Sequence, residues 1–139
     1  SNYRIAAALL NNGYRIPGKK ITINLAPADL RKEGSAYDLT LALGILTASG
    51  QIKSDDLEKY IIMGELSLDG SLQPIKGALP IAIQARKEGF KGLIVPTANA
   101  REAGMVNNLA VYGINHIKEV IDFFENDGTV MSSKSKSIT

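Results

Sequence analysis

The chain has 139 residues, 45% hydrophobic and 22% charged, with a formal net charge of +2, one histidine and no cysteine. That composition fits one domain with one core, and it excludes a disordered, fibrous or disulfide-framed chain and any thiolate metal site. No apolar run approaches the roughly 20 residues of a membrane-spanning helix. No secretory leader is visible at the start, and a cysteine-free chain suits the cytoplasm. A charge this small permits a nucleic-acid partner without arguing for one.

Ile5 to Leu10 is rich in alanine and leucine and reads as a helix, with Gly13 as its left-handed C-terminal residue. The helix begins almost at the first residue, as expected of a domain cut from something longer. Ile21 to Leu25 alternates and is β-branched, which predicts a strand closed by Pro27. A polar loop, Ala28 to Ala36, leads to Asp38–Ser49, which is apolar on nearly every side and so predicts a buried helix. Asp38 is placed to cap its first turn. A short turn or helical segment at Asp55 to Glu58 precedes the most informative stretch, Ile61 to Phe90.

That stretch predicts a strand carrying Ile61, Met63, Leu66 and Leu68, a two-residue turn at Asp69-Gly70, and a second strand carrying Leu72 and Ile75. Beyond Pro74 the period changes to 3.6. Ile75, Ala78, Leu79, Ala82 and Ile83 then share one helical face, and Gly89 ends the helix. Gly92 to Val95 predicts a buried strand closed by Pro96. Asn99 to Glu102 resembles a capping box for a short helix ending near Met105. Ala110 to Tyr112 predicts another strand. Ile117, Val120, Ile121 and Phe124 mark a final amphipathic helix, and the Ser/Lys-rich tail reads as a flexible linker. Strands separated by helices, with one hairpin among them, predict a mixed sheet packed with helices.

Few residues offer chemistry. Gly13 to Lys19 imitates a phosphate loop, but Lys20 stands where Ser or Thr should ligate Mg²⁺, and a helix precedes where a strand should. His116 has neither metal nor triad spacing and reads as a surface or capping residue. Asp55-Asp56 and Glu33 with Asp38 read as loop charges and caps. Lys19-Lys20 and Arg31-Lys32 form the one local basic cluster. Ser35 lies in a glycine-containing turn before the buried helix. It could act as a nucleophile only with a lysine as base, Lys32 or Lys76.

At this point the residues resemble a family. GELSLDGSLQPIKGALPIAIQARKEGF, GLIVPTAN and KEGSAYDLTLALGILTASG are similar to the proteolytic domain of Lon proteases. The Lon nucleophile motif reads K-D-G-P-S-A-G. Aligned on Glu33-Gly34, the serine's place is taken by Ala36 and the proline's by Ser35. The Lon lysine lies in P-I-G-G-L-K. Here its place is taken by Leu79, with Lys76 replacing a glycine. The resemblance therefore implies the Lon architecture without its Ser-Lys dyad.

A closer resemblance covers essentially the whole chain. ALLNNGYRIPGKKITINLAPADLRKEGSAYDLTLALGILTASGQI, GELSLDGSLQPIKGALPIA and VPTANA look like the N-terminal Lon-protease-like domain of the ComM/YifB family of magnesium-chelatase-like AAA+ ATPases. This implies an α+β fold of the ribosomal protein S5 domain 2 type. It implies a domain over residues 3–125 lacking an N-terminal β segment, and a linker over 126–139 toward an absent AAA+ module. ATP and Mg²⁺ would belong to that module, with no cofactor or metal in this domain. The family implies self-association in a hexameric ring, possible DNA contact during branch migration in natural transformation, and no membrane. Lys19, Lys20, Arg31 and Lys32 are the expected DNA or partner contacts. A divergent peptidase using Ser35, or a metal-chelatase subunit, is the alternative.

Overall fold

The computed structural model describes residues 2–16, 34–52 and 56–126. The expected strand Ile21 to Leu25, the tail from residue 127, Asp55, and Lys19, Lys20, Arg31 and Lys32 lie outside the described residues. Helix α1 (Asn2–Asn11) ends as the sequence predicts. Gly13, at φ 86°, donates to the Leu10 carbonyl at 3.2 Å, and the Tyr14 N–H donates to the Leu9 carbonyl at 2.9 Å. These two bonds satisfy carbonyls that the helix end leaves open. A single 3₁₀ turn, Ser35–Tyr37, leads into α2 (Asp38–Ala48). Most of α2 is buried, and Leu41 and Ile45 pack half-buried against the core.

Strands β1 (Tyr60–Ile62), β4 (Gly92–Pro96) and β5 (Ala110–Ile114) form a parallel sheet in the order β1-β4-β5. Between β1 and β4 come the hairpin β2 (Glu65–Leu66) and β3 (Leu72–Gln73), then helix α3 (Ala78–Lys87). Helix α4 (Thr97–Ala103) joins β4 to β5, and α5 (Ile117–Glu125) follows. Parallel neighbours require crossovers of this kind. Alternation along each strand divides the core in two. Tyr60, Ile62, Ile94 and Ile114 pack with α1, α2 and α5. Ile61, Met63, Leu93, Val95 and Val111 pack with α3 and α4. The result is a mixed α+β fold with helices on both faces of a parallel sheet.

The hairpin departs from the simple expectation in two ways. The apolar alternation runs through Ile61, Met63, Leu66 and Leu68, yet the strand breaks at Met63-Gly64. Its first part pairs in the parallel sheet and its second part pairs with β3. The turn also has three residues. Gly70 N–H donates to the Ser67 carbonyl at 3.0 Å, Ser67 N–H donates to the Ser71 carbonyl at 2.9 Å, and Gly70 sits at φ 96°. That is a type I turn with a left-handed bulge residue, the usual three-residue solution. A Ser71–His116 antiparallel bridge ties the hairpin to the chain leaving β5.

Helix α3 begins at Ala78, later than the period change after Pro74 suggests, because Gly77 at φ 78° interrupts the chain before it. Its buried face is Ala78, Ala82 and Ala85, whereas Ile83 is 42% exposed. Small residues there let α3 approach the sheet and α4 closely. The α5 stripe is buried as expected, with Phe123 added. Tyr60, Phe123 and Phe124 meet edge to face, at 5.5 Å between Tyr60 and Phe123 and 5.4 Å between Tyr60 and Phe124. Such pairs contribute beyond their buried area.

Burial pushes the Tyr60 phenol from 10.0 up to about 12, helped by Tyr112 and Asp56. The folded protein thus holds this proton more tightly than the unfolded chain does. The associated stability is complete below pH 10 and falls as the pH rises toward about 12. We expect a late phenolate absorbance step on alkaline titration that Tyr60→Phe removes. Persistence of the whole step in the variant would reassign it to another tyrosine. Among the described residues, no helix is long and apolar enough to cross a membrane.

Candidate functional site

The hairpin departs from the sheet at Gly64, and this corner is held by main-chain bonds. Gly64 N–H donates to the Ala36 carbonyl at 2.8 Å, and the Leu39 N–H donates to the Gly64 carbonyl at 3.0 Å. A Cβ added at Gly64 would lie 3.0 Å from a Leu72 methyl. The turn carrying Ser35 and Ala36 is therefore laced directly to the corner between sheet and hairpin.

Asp38 is not the helix cap that its position suggests. It is the first residue of α2, the N-cap is Tyr37, and that cap makes no side-chain bond. The Asp38 side chain is 1% exposed and accepts from Arg4 Nη2 at 2.9 Å, Arg4 Nε at 3.2 Å and the Leu66 N–H at 3.1 Å. One carboxylate thus joins α1, α2 and the hairpin. Glu65 stands 3.8 Å from the same guanidinium. A tertiary ion pair has displaced a local cap, because a buried carboxylate needs a charged, hydrogen-bonded partner.

Asn99 is likewise no cap. α4 already begins at Thr97, after Pro96. The buried Asn99 amide reaches back to the segment before α3. Its Oδ1 accepts from the Ile75 N–H at 2.9 Å, and its Nδ2 donates to the Ile75 carbonyl at 2.8 Å. It pairs with Ile75 as a neighbouring strand would, and fixes the Pro74 to Gly77 loop. At the first turn of α3, the Leu79 N–H donates to Glu102 Oε2 at 3.4 Å. The sequence offers no local sign of either Asn99 bond.

Ala36 and Leu79 take the two positions where the resemblance would put a reactive serine and lysine. Both pack half-buried against the same apolar cluster on the α3–α4 side of the sheet. Beside them lies an almost wholly apolar pocket of about 170 Å³, lined by Tyr37, Ile61, Met63, Pro80, Ile81 and Gln84. Ser35 is half-buried in the 3₁₀ turn and Lys76 is exposed, and among the described residues no hydrogen bond joins them. Lys32, the other candidate base, lies outside those residues. No cluster of three or more metal-ligating side chains occurs among the described residues.

His116 caps α5, as its isolation in sequence predicts. Its Nδ1 accepts from the Lys118 N–H at 3.1 Å, and its Nε2 stands 3.1 Å from the Asp69 carbonyl. The two partners together assign the neutral Nε2–H tautomer. Bonds from the Ser71 N–H and then the Ser71 hydroxyl hold the Asp69 carboxyl below its usual range. Asp56 is lowered chiefly by its hydrogen bond with Lys59, which lies 2.9 Å away. Gly13 closes a helix, and the part of the phosphate-loop likeness beyond residue 16 lies outside the described residues.

Against known proteins, a family model described as "Subunit ChlI of Mg-chelatase" matches residues 1–99. YifB of Salmonella typhimurium, described as uncharacterized, is 44% identical over 122 residues, covering 88% of this chain and 24% of its own length. Competence protein ComM of Haemophilus influenzae is 40% identical over 120 residues, covering 86% of this chain and 23% of its own. Lon protease 2 of Bacillus subtilis is 26% identical over 119 residues. The chain thus spans about a quarter of the length of the YifB and ComM relatives.

Proposed function

Because the chain belongs to the Mg-chelatase subunit ChlI family, with YifB and ComM among its relatives, we propose that it is a non-catalytic accessory domain of a magnesium-chelatase-like AAA+ ATPase. One observation carries this reading. Ala36 and Leu79, the residues at the two Lon-like positions, both pack half-buried against one apolar cluster and carry no nucleophile and no base. Neither side chain can move a proton, and a Ser35–Lys76 substitute lacks the hydrogen bond that general-base activation uses.

In this reading residues 3–125 form the accessory domain and 126–139 lead toward a separate ATPase module that binds ATP and Mg²⁺. The domain supports ring assembly or DNA engagement in the cytoplasm during ATP-driven branch migration. The name of the competence protein ComM favours a DNA-processing parent over a pigment pathway. Lys19, Lys20, Arg31 and Lys32 are the proposed contacts.

The test is DNA binding and ATP-dependent migration of branched DNA by the full-length protein. Reversing the charge of all four residues should weaken binding on every sequence and flatten its salt dependence. The log-log slope should fall by about one unit for each phosphate that is no longer neutralised. Unchanged affinity and slope would reject the contact assignment. Peptide hydrolysis abolished by Ser35→Ala would reject the non-catalytic reading.

A further inference from the structure

The α3 side of the sheet is not filled evenly. Helix α3 packs through Ala78, Ala82 and Ala85, and it lies chiefly against α4 and β4. Strand β1 is the outer strand of the β1-β4-β5 sheet. Ile61 in β1 and Met63 just after it are roofed by the next row of α3, Pro80, Ile81 and Gln84, with Tyr37 beside them. These six side chains enclose the pocket of about 170 Å³.

The walls are held by the fold. The Met63 N–H donates to the Ile94 carbonyl at 2.8 Å, and the Tyr37 N–H donates to the Gly34 carbonyl at 3.2 Å. Ile61 and Met63 are each 2% exposed. Gln84 Nε2 donates to Glu88 Oε2, so this amide has its partner outside the lining. No charged side chain lines the pocket. An apolar cavity stays dry, and one of about 150 Å³ accepts benzene. Two of the lining residues favour a ring over an alkane of the same size. The Met63 thioether makes favourable contacts with aromatic edges, and the Tyr37 ring pairs with another ring offset or edge to face. A charge carried into the pocket would lose water and gain no partner.

We propose that this pocket is a binding site for a small uncharged molecule with one aromatic ring, the ring seated among Tyr37, Met63 and Ile81. The inference goes beyond the accessory-domain reading and does not depend on it.

The test is NMR of the 139-residue chain, isotope-labelled at its methionine methyl groups. Met63 lines the pocket, Met105 is 72% exposed and serves as the control, and Met63→Leu identifies the pocket signal. Titration with benzyl alcohol should move the Met63 methyl saturably, with half-saturation at roughly 1 mM or below, and leave Met105 in place. Benzoate carries the same ring with a charge and should bind at least about tenfold more weakly. Cyclohexylmethanol keeps the frame without the aromaticity and should bind about threefold more weakly. Ile81→Trp should fill the pocket and abolish the Met63 response, with circular dichroism reporting that the fold is kept. Absence of a saturable Met63 shift would overturn the proposal, and so would equal responses at Met63 and Met105. Equal affinities for the three probes would overturn the uncharged aromatic class. An unchanged Met63 response in folded Ile81→Trp would overturn the assignment to this pocket. If Ile81→Trp does not fold, the three probes on the parent chain decide.

Discussion

Replacing Arg4 by Met should lower the stability of the domain by about 3 kcal/mol, within the range for removing one member of a buried ion pair. Arg4 supplies two hydrogen bonds and a full charge to an Asp38 side chain that is 1% exposed. Arg4 itself is 33% exposed and loses little if it must find water, whereas Asp38 is walled in. The larger penalty therefore follows removal of the cation. Urea unfolding measures it. The double variant Arg4→Met/Asp38→Leu should recover part of the loss, since it removes the buried charge as well, though the Leu66 N–H then loses its acceptor. A single-variant loss under about 1 kcal/mol would mean that the pair behaves as a surface salt bridge.

Asn99→Ala should cost about 3 kcal/mol, because it removes the partner of both the N–H and the carbonyl of the buried Ile75, at roughly 1–3 kcal/mol for each group left unsatisfied. Asn99→Asp is the sharper variant. It keeps the oxygen that faces the Ile75 N–H but turns a carboxylate oxygen toward the Ile75 carbonyl, so it should be worse than Ala near neutral pH. Chemical denaturation gives the stabilities, and amide hydrogen exchange of residues 75–79 gives the local effect. Asn99→Asp as stable as the parent would refute the two-bond clamp.

These two anchors also show where sequence reading ends. Local signals are legible: the glycine after α1, the hairpin, the α5 stripe and the capping role of His116 all follow from neighbours a few residues apart. Asp38 and Asn99 also present local patterns, an acid at a helix start and an Asn-x-x-Glu box. The structure uses both for partners 34 and 24 residues distant, which no local rule contains. The break at Gly64 is hidden for a related reason. Ile61, Met63 and Leu66 read as one strand because each is buried, although β1 pairs with β4 and β2 with β3. Helical period alone turns Ile83 inward. The actual face follows Ala78, Ala82 and Ala85, because close packing against α4 favours small side chains over large ones. For the candidate site, the significance of positions 36 and 79 comes from resemblance alone, and the apolar cluster they share is visible only in the fold.

The main-chain lacing at Gly64 has an evolutionary consequence. Ala36 is held at this corner by its carbonyl oxygen, an atom every amino acid carries, while its methyl group packs half-buried against the apolar cluster. A lineage could exchange a reactive group there for an inert one and keep the same main-chain bond, and a reversion would meet that bond unchanged. Selection on chemistry and selection on shape would then act on different atoms of one residue, and a scaffold of this kind can change trade without being rebuilt.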